Sequence, residues 1–127
     1  MISFNAKKTP PKTAISQNAS QNRVSLLAAE ELFAKFEEFC VIDIRQKGVF
    51  AAAHLKGSQN LRDPQSIANA ANAALKAGKK VVLVCFAGGK ANGKADEVFA
   101  AGFCGEIFAL LGGFISICPQ TYAKFLA

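Results

Sequence analysis

The chain lacks the residues and patterns that several functional classes require. It has a single histidine and four cysteines, with no C-x-x-C spacing and no histidine companion that would suggest zinc. No window approaches an apolar membrane span, and the N-terminus lacks the apolar core of a secretory signal. No Asp or Glu occurs before Glu30, and Lys7, Lys8, Lys12 and Arg23 supply four of the six net positive charges. That distribution fits a solvated basic tail better than a nucleic-acid surface. Cys40, Cys104 and Cys118 lie in apolar neighbourhoods and read as reduced core thiols. Such usage fits a reducing, cytoplasmic setting rather than a disulfide scaffold.

What is present is ample apolar material. With 127 residues, 51% of them hydrophobic, the chain can build one globular domain with a substantial core. Residues 1–22 are rich in Lys, Asn, Gln, Ser and Thr, carry Pro10-Pro11 and show no periodicity. They read as a flexible basic extension preceding a domain over 23–127. An organelle-targeting peptide would need more arginine and an amphipathic stripe.

Within the domain, Ser25 is expected to cap a helix from Leu26 to Phe36, with Leu27, Leu32, Phe33 and Phe36 at helical spacing. Residues 40–44, C-V-I-D-I, form a buried strand that delivers Asp43 and Arg45 at its carboxyl end. A short helix from Gln46 to Ala53, a turn at Gly57 and a short strand from Ser58 to Leu61 follow. Asp63-Pro64 starts a helix, with Asp as cap and Pro at its first position, running to a stop at Gly78. Val81–Val84 is a second buried strand, and a helix carrying Ala91, Ala95, Val98 and Phe99 ends at Gly102. A strand from Glu106 to Leu110 is broken by Gly112-Gly113, and a last helix is expected from Pro119 to Leu126. Alternating strands and helices imply a parallel α/β sheet covered on both faces.

Cys85 stands where the Val81–Val84 strand ends, before Gly88-Gly89 and the following helix. Glycines let successive N–H groups converge on one point, and a helix N-terminus adds unpaired donors. A thiol held there is expected to act as a nucleophile. Taken alone, Cys85 is equally well read as a core thiol on a buried strand.

Four segments carry a family resemblance: V-I-D-I-R at 41–45, F-A-A-A-H-L-K-G-S-Q-N-L at 50–61, C-F-A-G-G-K-A at 85–91 and A-G-F-C-G-E-I-F-A-L-L-G-G-F at 101–114. In this order and spacing, the chain resembles a single-domain rhodanese, a sulfurtransferase. The resemblance implies a three-layer α/β fold with a five-stranded parallel sheet flanked by helices. It also makes Cys85 the sulfur-carrying nucleophile. Cys85 would take the outer sulfur of thiosulfate, a persulfide or a polysulfide, and pass it to cyanide, a thiol or a sulfur-carrier protein. Backbone N–H groups from Phe86, Ala87, Gly88, Gly89 and Lys90 would surround the sulfur and bind substrate, with no cofactor, metal, nucleic acid or membrane required. Asp43 and Arg45 read first as a supporting ion pair and second as substrate contacts, and His54 as a residue fixing its turn. A cysteine protease built from His54 and Cys85 lacks an evident orienting partner.

The departures bear on the substrate. Many single-domain members end the loop with Arg where this chain has Lys90, a point charge without a bidentate fork. The two residues after the cysteine, basic in two-domain thiosulfate enzymes, are Phe86 and Ala87, and a further arginine of those enzymes falls on Val49. Lys94, one turn beyond Lys90, is a candidate to restore charge. The usual G-G-W is G-G-F, with Phe114 read as a core aromatic. Phosphatases and arsenate reductases on the same fold have a loop one residue longer ending in Arg, so C-x4-K argues against them. The remaining rival is a catalytically idle interaction module.

Overall fold

A computed structural model describes residues 22–127; the expected extension before Asn22 lies outside them. In chain order the elements are β1 (Arg23–Leu27), α1 (Ala29–Ala34), β2 (Phe39–Asp43), α2 (Lys47–Ala52), β3 (Gln59–Asn60), α3 (Pro64–Lys76), β4 (Lys80–Val84), α4 (Ala91–Ala100) and β5 (Glu106–Leu110). Short 3-10 turns cover Phe36–Glu38, Phe114–Ser116 and Ala123–Phe125. The strands form one five-stranded sheet, β1-β5-β4-β2-β3, with every pairing parallel. This is the α/β architecture expected from the sequence.

Side-chain alternation along β4 splits the core in two. Val81 and Leu83 face Ile67, Ala71, Ala95 and Val98, so α3 and α4 cover that side. Val82 and Val84 face Leu32, Phe33, Leu55 and Leu110 beneath α1 and the C-terminal segment. The Asp63 carboxylate accepts from the Ser66 N–H at 2.9 Å and caps α3 as the Asp-Pro pair predicts. Among the described residues, no helix is long and apolar enough to cross a membrane.

Three expectations are corrected. The helix expected from Leu26 to Phe36 begins only at Ala29, because Arg23–Leu27 is an edge strand registered against Glu106–Leu110. Ser25 is no cap: its hydroxyl donates to Glu106 Oε2 at 2.6 Å across that pairing. The last helix expected from Pro119 to Leu126 is a turn and a 3-10 segment. Its aromatics dock individually, with Tyr122 and Phe125 stacking on Phe33 at 4.3 and 4.6 Å, and Leu126 bridges Leu55.

The third correction concerns the thiols. Cys104 and Cys118 are exposed, and Cys40 is half-buried. Neighbouring Phe103 and Ile117 take the buried positions. Cys40 packs only partly against the core, on the part of β2 that β3 leaves unpaired, since β3 pairs only with Ile42 and Asp43. Burial nevertheless pushes the Cys40 thiol up, while the Thr121 hydroxyl pulls the Cys118 thiol down.

Candidate active site

The central strand β4 delivers Cys85 at its carboxyl end, 4% exposed and continuous with the Val81–Leu83 face of the core. The chain then turns back, and the Gly88 N–H donates to Cys85 Sγ at 3.0 Å. Gly88 reaches this position at φ +91°, a conformation costly for a residue with a β-carbon. Gly89 has open space around it and no such φ. The loop passes into α4 directly after Lys90.

The loop is braced from β5. The Phe114 N–H donates to the Cys85 carbonyl at 2.8 Å and the Ile115 N–H to the Phe86 carbonyl at 3.0 Å. These bonds bring the Gly112-Gly113 turn against the loop. A β-carbon on Gly113 would lie 2.5 Å from the Gly88 nitrogen and 2.6 Å from the Phe86 oxygen. The glycine pair that ends β5 is therefore also a seat for the cysteine loop.

Asp43 and Arg45 leave the carboxyl end of β2 and pair with each other while buried. The Arg45 guanidinium donates to both Asp43 oxygens at 2.8–3.0 Å and to the Ala53 carbonyl at 2.7 Å. The Asn60 amide bonds the carbonyls of both residues at 2.9 Å, tying β3 to the same hub. Phe114 lies half-buried beneath the Arg45 guanidinium, 3.9 Å from its ring centre. It packs against the core as expected, and its face also holds Arg45. His54 stacks on Phe50 at 4.0 Å, its Nδ1 lies 2.9 Å from the Phe50 carbonyl, and its backbone pairs with Ala127. It is not among the residues around the Cys85 cavity.

That cavity holds about 420 Å³. Phe86, Ala87, Gly89 and Lys90 of the loop border it, together with Cys85 and Arg45. Ile44, Gln46, Val49 and Arg62 complete its wall. Arg62 escaped the sequence reading, hidden between a short strand and a helix-capping motif. The signal was its position just after β3, at the same sheet end as Cys85. Lys94 corrects an expectation: its Nζ donates to the Arg62 carbonyl at 3.0 Å and pairs with Glu97 at 3.3 Å. It lines a neighbouring depression and not the Cys85 cavity.

Fold and site together define a parallel α/β domain with a buried thiol at the carboxyl end of its central strand. The thiol opens onto a cavity with cationic walls. The model of the Rhodanese-like domain family matches residues 27–118, and the chain belongs to that family. It is 34% identical over 74 residues to the thiosulfate sulfurtransferase GlpE of Pseudomonas fluorescens (strain Pf0-1); the match covers 58% of this chain. The chain spans 65% of that relative's length. A Helicobacter pylori protein solved by NMR shares the fold with a TM-score of 0.59 at 22% identity, covering 80% of this chain and 87% of that one. A rhodanese-related protein of Thermoplasma volcanium does so with 0.54 at 18% identity, covering 72% and 88%.

Proposed function

We propose that the chain is a sulfurtransferase that carries sulfur as a persulfide on Cys85. The Cys85 thiolate attacks the outer sulfur of the donor. With thiosulfate, the S–S bond breaks, sulfite leaves with the bonding electron pair, and Cys85 holds the transferred sulfur as an anionic persulfide. An acceptor, cyanide or a thiolate, then attacks that outer sulfur. The Cys85 thiolate is regenerated, and thiocyanate or the acceptor's persulfide departs.

The Gly88 N–H aimed at Sγ from 3.0 Å is the observation that carries this reading. A donor fixed there can stabilise the charge that returns to Sγ as the acceptor takes the outer sulfur. Lys90 at the loop end adds a cation facing the leaving group, while Asp43 and Arg45 support the wall. Persulfides, polysulfides and sulfur-carrier proteins are donors or acceptors of the same chemistry.

The test is the mass of the intact protein and of its Cys85 peptide after donor treatment. One added sulfur on Cys85, released by cyanide and absent from Cys85→Ser, is the expected result. No adduct with thiosulfate, polysulfide or an organic persulfide would make the domain an interaction module.

A further inference from the structure

We infer that Arg62 selects the sulfur compound, holding its anionic group while Cys85 meets its sulfur. This rests on the sulfur-transfer reading of Cys85. Three cations line the cavity: Arg45, Arg62 and Lys90. They are not equivalent. The charge of Arg45 is spent on Asp43, which holds it through both carboxylate oxygens. Neither Arg62 nor Lys90 forms an ion pair with a carboxylate among the described residues, and no acidic side chain lines the cavity. The wall therefore presents two uncompensated positive charges beside apolar Ile44, Val49 and Phe86.

The backbone at Arg62 is fixed although its side chain is exposed. The Leu61 N–H donates to the Asp43 carbonyl at 3.1 Å, and the Arg62 carbonyl accepts from Lys94 Nζ at 3.0 Å. Asp63, the nearest carboxylate in sequence, is occupied by the Ser66 N–H and hydroxyl at 2.9 and 3.1 Å. The guanidinium is left for a ligand.

Arg62 and Lys90, together with Ile44 and Gly89, also border the neighbouring depression, which holds about 420 Å³. There the Lys94 charge is matched by Glu97. The two cations thus form a ridge between two hollows, with Cys85 lining one of them only. An anion on the ridge has its sulfur-bearing end directed into the Cys85 hollow and room for substituents in the other. Guanidinium presents a planar fork of donors that fits sulfonate or carboxylate, whereas lysine offers a point charge. The substrate class is therefore a sulfur compound with a sulfonate or carboxylate group, including ones larger than thiosulfate.

The test alkylates Cys85 with anionic iodoacetate and neutral iodoacetamide, in wild type, Arg62→Lys and Arg62→Gln. Rates are read on the Cys85 peptide so that Cys40, Cys104 and Cys118 do not contribute. Arg62→Gln should lower the iodoacetate rate by about three- to tenfold with the iodoacetamide rate unchanged, and Arg62→Lys should fall between. The same variants should lose thiosulfate turnover and retain turnover of a neutral dialkyl polysulfide. An unchanged ratio of the two alkylation rates, or an equal fall in both, overturns the assignment whatever the turnover shows. A fall confined to iodoacetate in a protein that transfers no sulfur upholds anion recognition by Arg62 and overturns the sulfur-transfer reading alone.

Discussion

Replacing Gly113 by Ala perturbs the site from 28 positions away in sequence. Two costs act together. Gly113 has φ +69° and ψ −169°, a region essentially confined to glycine, where a β-carbon costs about 1–3 kcal/mol. The new methyl would also stand 2.5 Å from the Gly88 nitrogen, 2.6 Å from the Phe86 oxygen and 2.7 Å from the Ala87 carbonyl carbon. All three are backbone atoms of the cysteine loop, so no side chain can swing aside. Overpacking of this kind costs about 1–3 kcal/mol. The expected loss of stability is about 2–6 kcal/mol in all. The structure can relieve the clash only by moving the loop, and the atom pressed hardest is the nitrogen that donates to Cys85 Sγ.

Denaturant unfolding measures the stability, and the alkylation rate of Cys85 reports the loop. Gly113→Ala should lower both. Gly48→Ala is the control, because Gly48 sits inside α2 with nothing within 4 Å of an added β-carbon. It should gain about 0.5–1 kcal/mol and leave the alkylation rate alone. If Gly113→Ala kept wild-type stability and Cys85 reactivity, the Gly112-Gly113 turn would not be the loop's seat.

Three further outcomes follow from the same contacts. Asp43→Ala leaves the buried Arg45 guanidinium without its carboxylate and should cost about 3–5 kcal/mol in denaturant unfolding, and a loss below about 1 kcal/mol would contradict the hub. Phe114→Leu keeps an apolar side chain but removes the ring face under Arg45; it should cost about 1 kcal/mol more than Phe114→Trp, which restores a face. The Ser25 hydroxyl, aided by Arg23, holds the Glu106 carboxyl below its ordinary value of 4.5. Its stabilising contribution is therefore present above that value and is lost as pH falls through the lower folded-state value. The stability gap between wild type and Ser25→Ala should be widest at neutral pH and shrink in acid, and a constant gap would refute the pairing.

Much of this molecule was legible because its signals are local. The Asp63-Pro64 cap, the β-branched run before Cys85 and the glycines after it each sit within a few residues of what they determine. Arg23–Leu27 was misread because Leu27, Leu32, Phe33 and Phe36 do repeat at helical spacing; a partner strand 83 residues away wins those first positions. The C-terminal segment was misread for a related reason. Its apolar residues are Tyr122, Phe125 and Leu126, which find separate sites on Phe33 and Leu55 and need no shared helical face. At the site, Cys85 and its loop were visible, while the brace from Gly113 and the stacking of Phe114 on Arg45 were not. Both are contacts between segments far apart in the chain, and glycine pairs or aromatics do not announce their partners.

Charge follows the same division, with consequences for chemistry. From sequence, Arg45 reads as the partner of Asp43, Lys90 and Lys94 read as the cations near the cysteine, and Arg62 goes unnoticed. Burial ties Arg45 to Asp43, since a desolvated guanidinium requires its carboxylate, and its Nε and Nη2 are engaged there and at the Ala53 carbonyl. Lys94, expected to lend charge to the cavity, is drawn away by Glu97 and by the Arg62 carbonyl. What it contributes instead is position: its bond to that carbonyl fixes the backbone from which the Arg62 side chain extends. The field at Cys85 is thus set by which cations have already found their counter-charges. Among the described residues the two without one, Arg62 and Lys90, stand together on the ridge beside it.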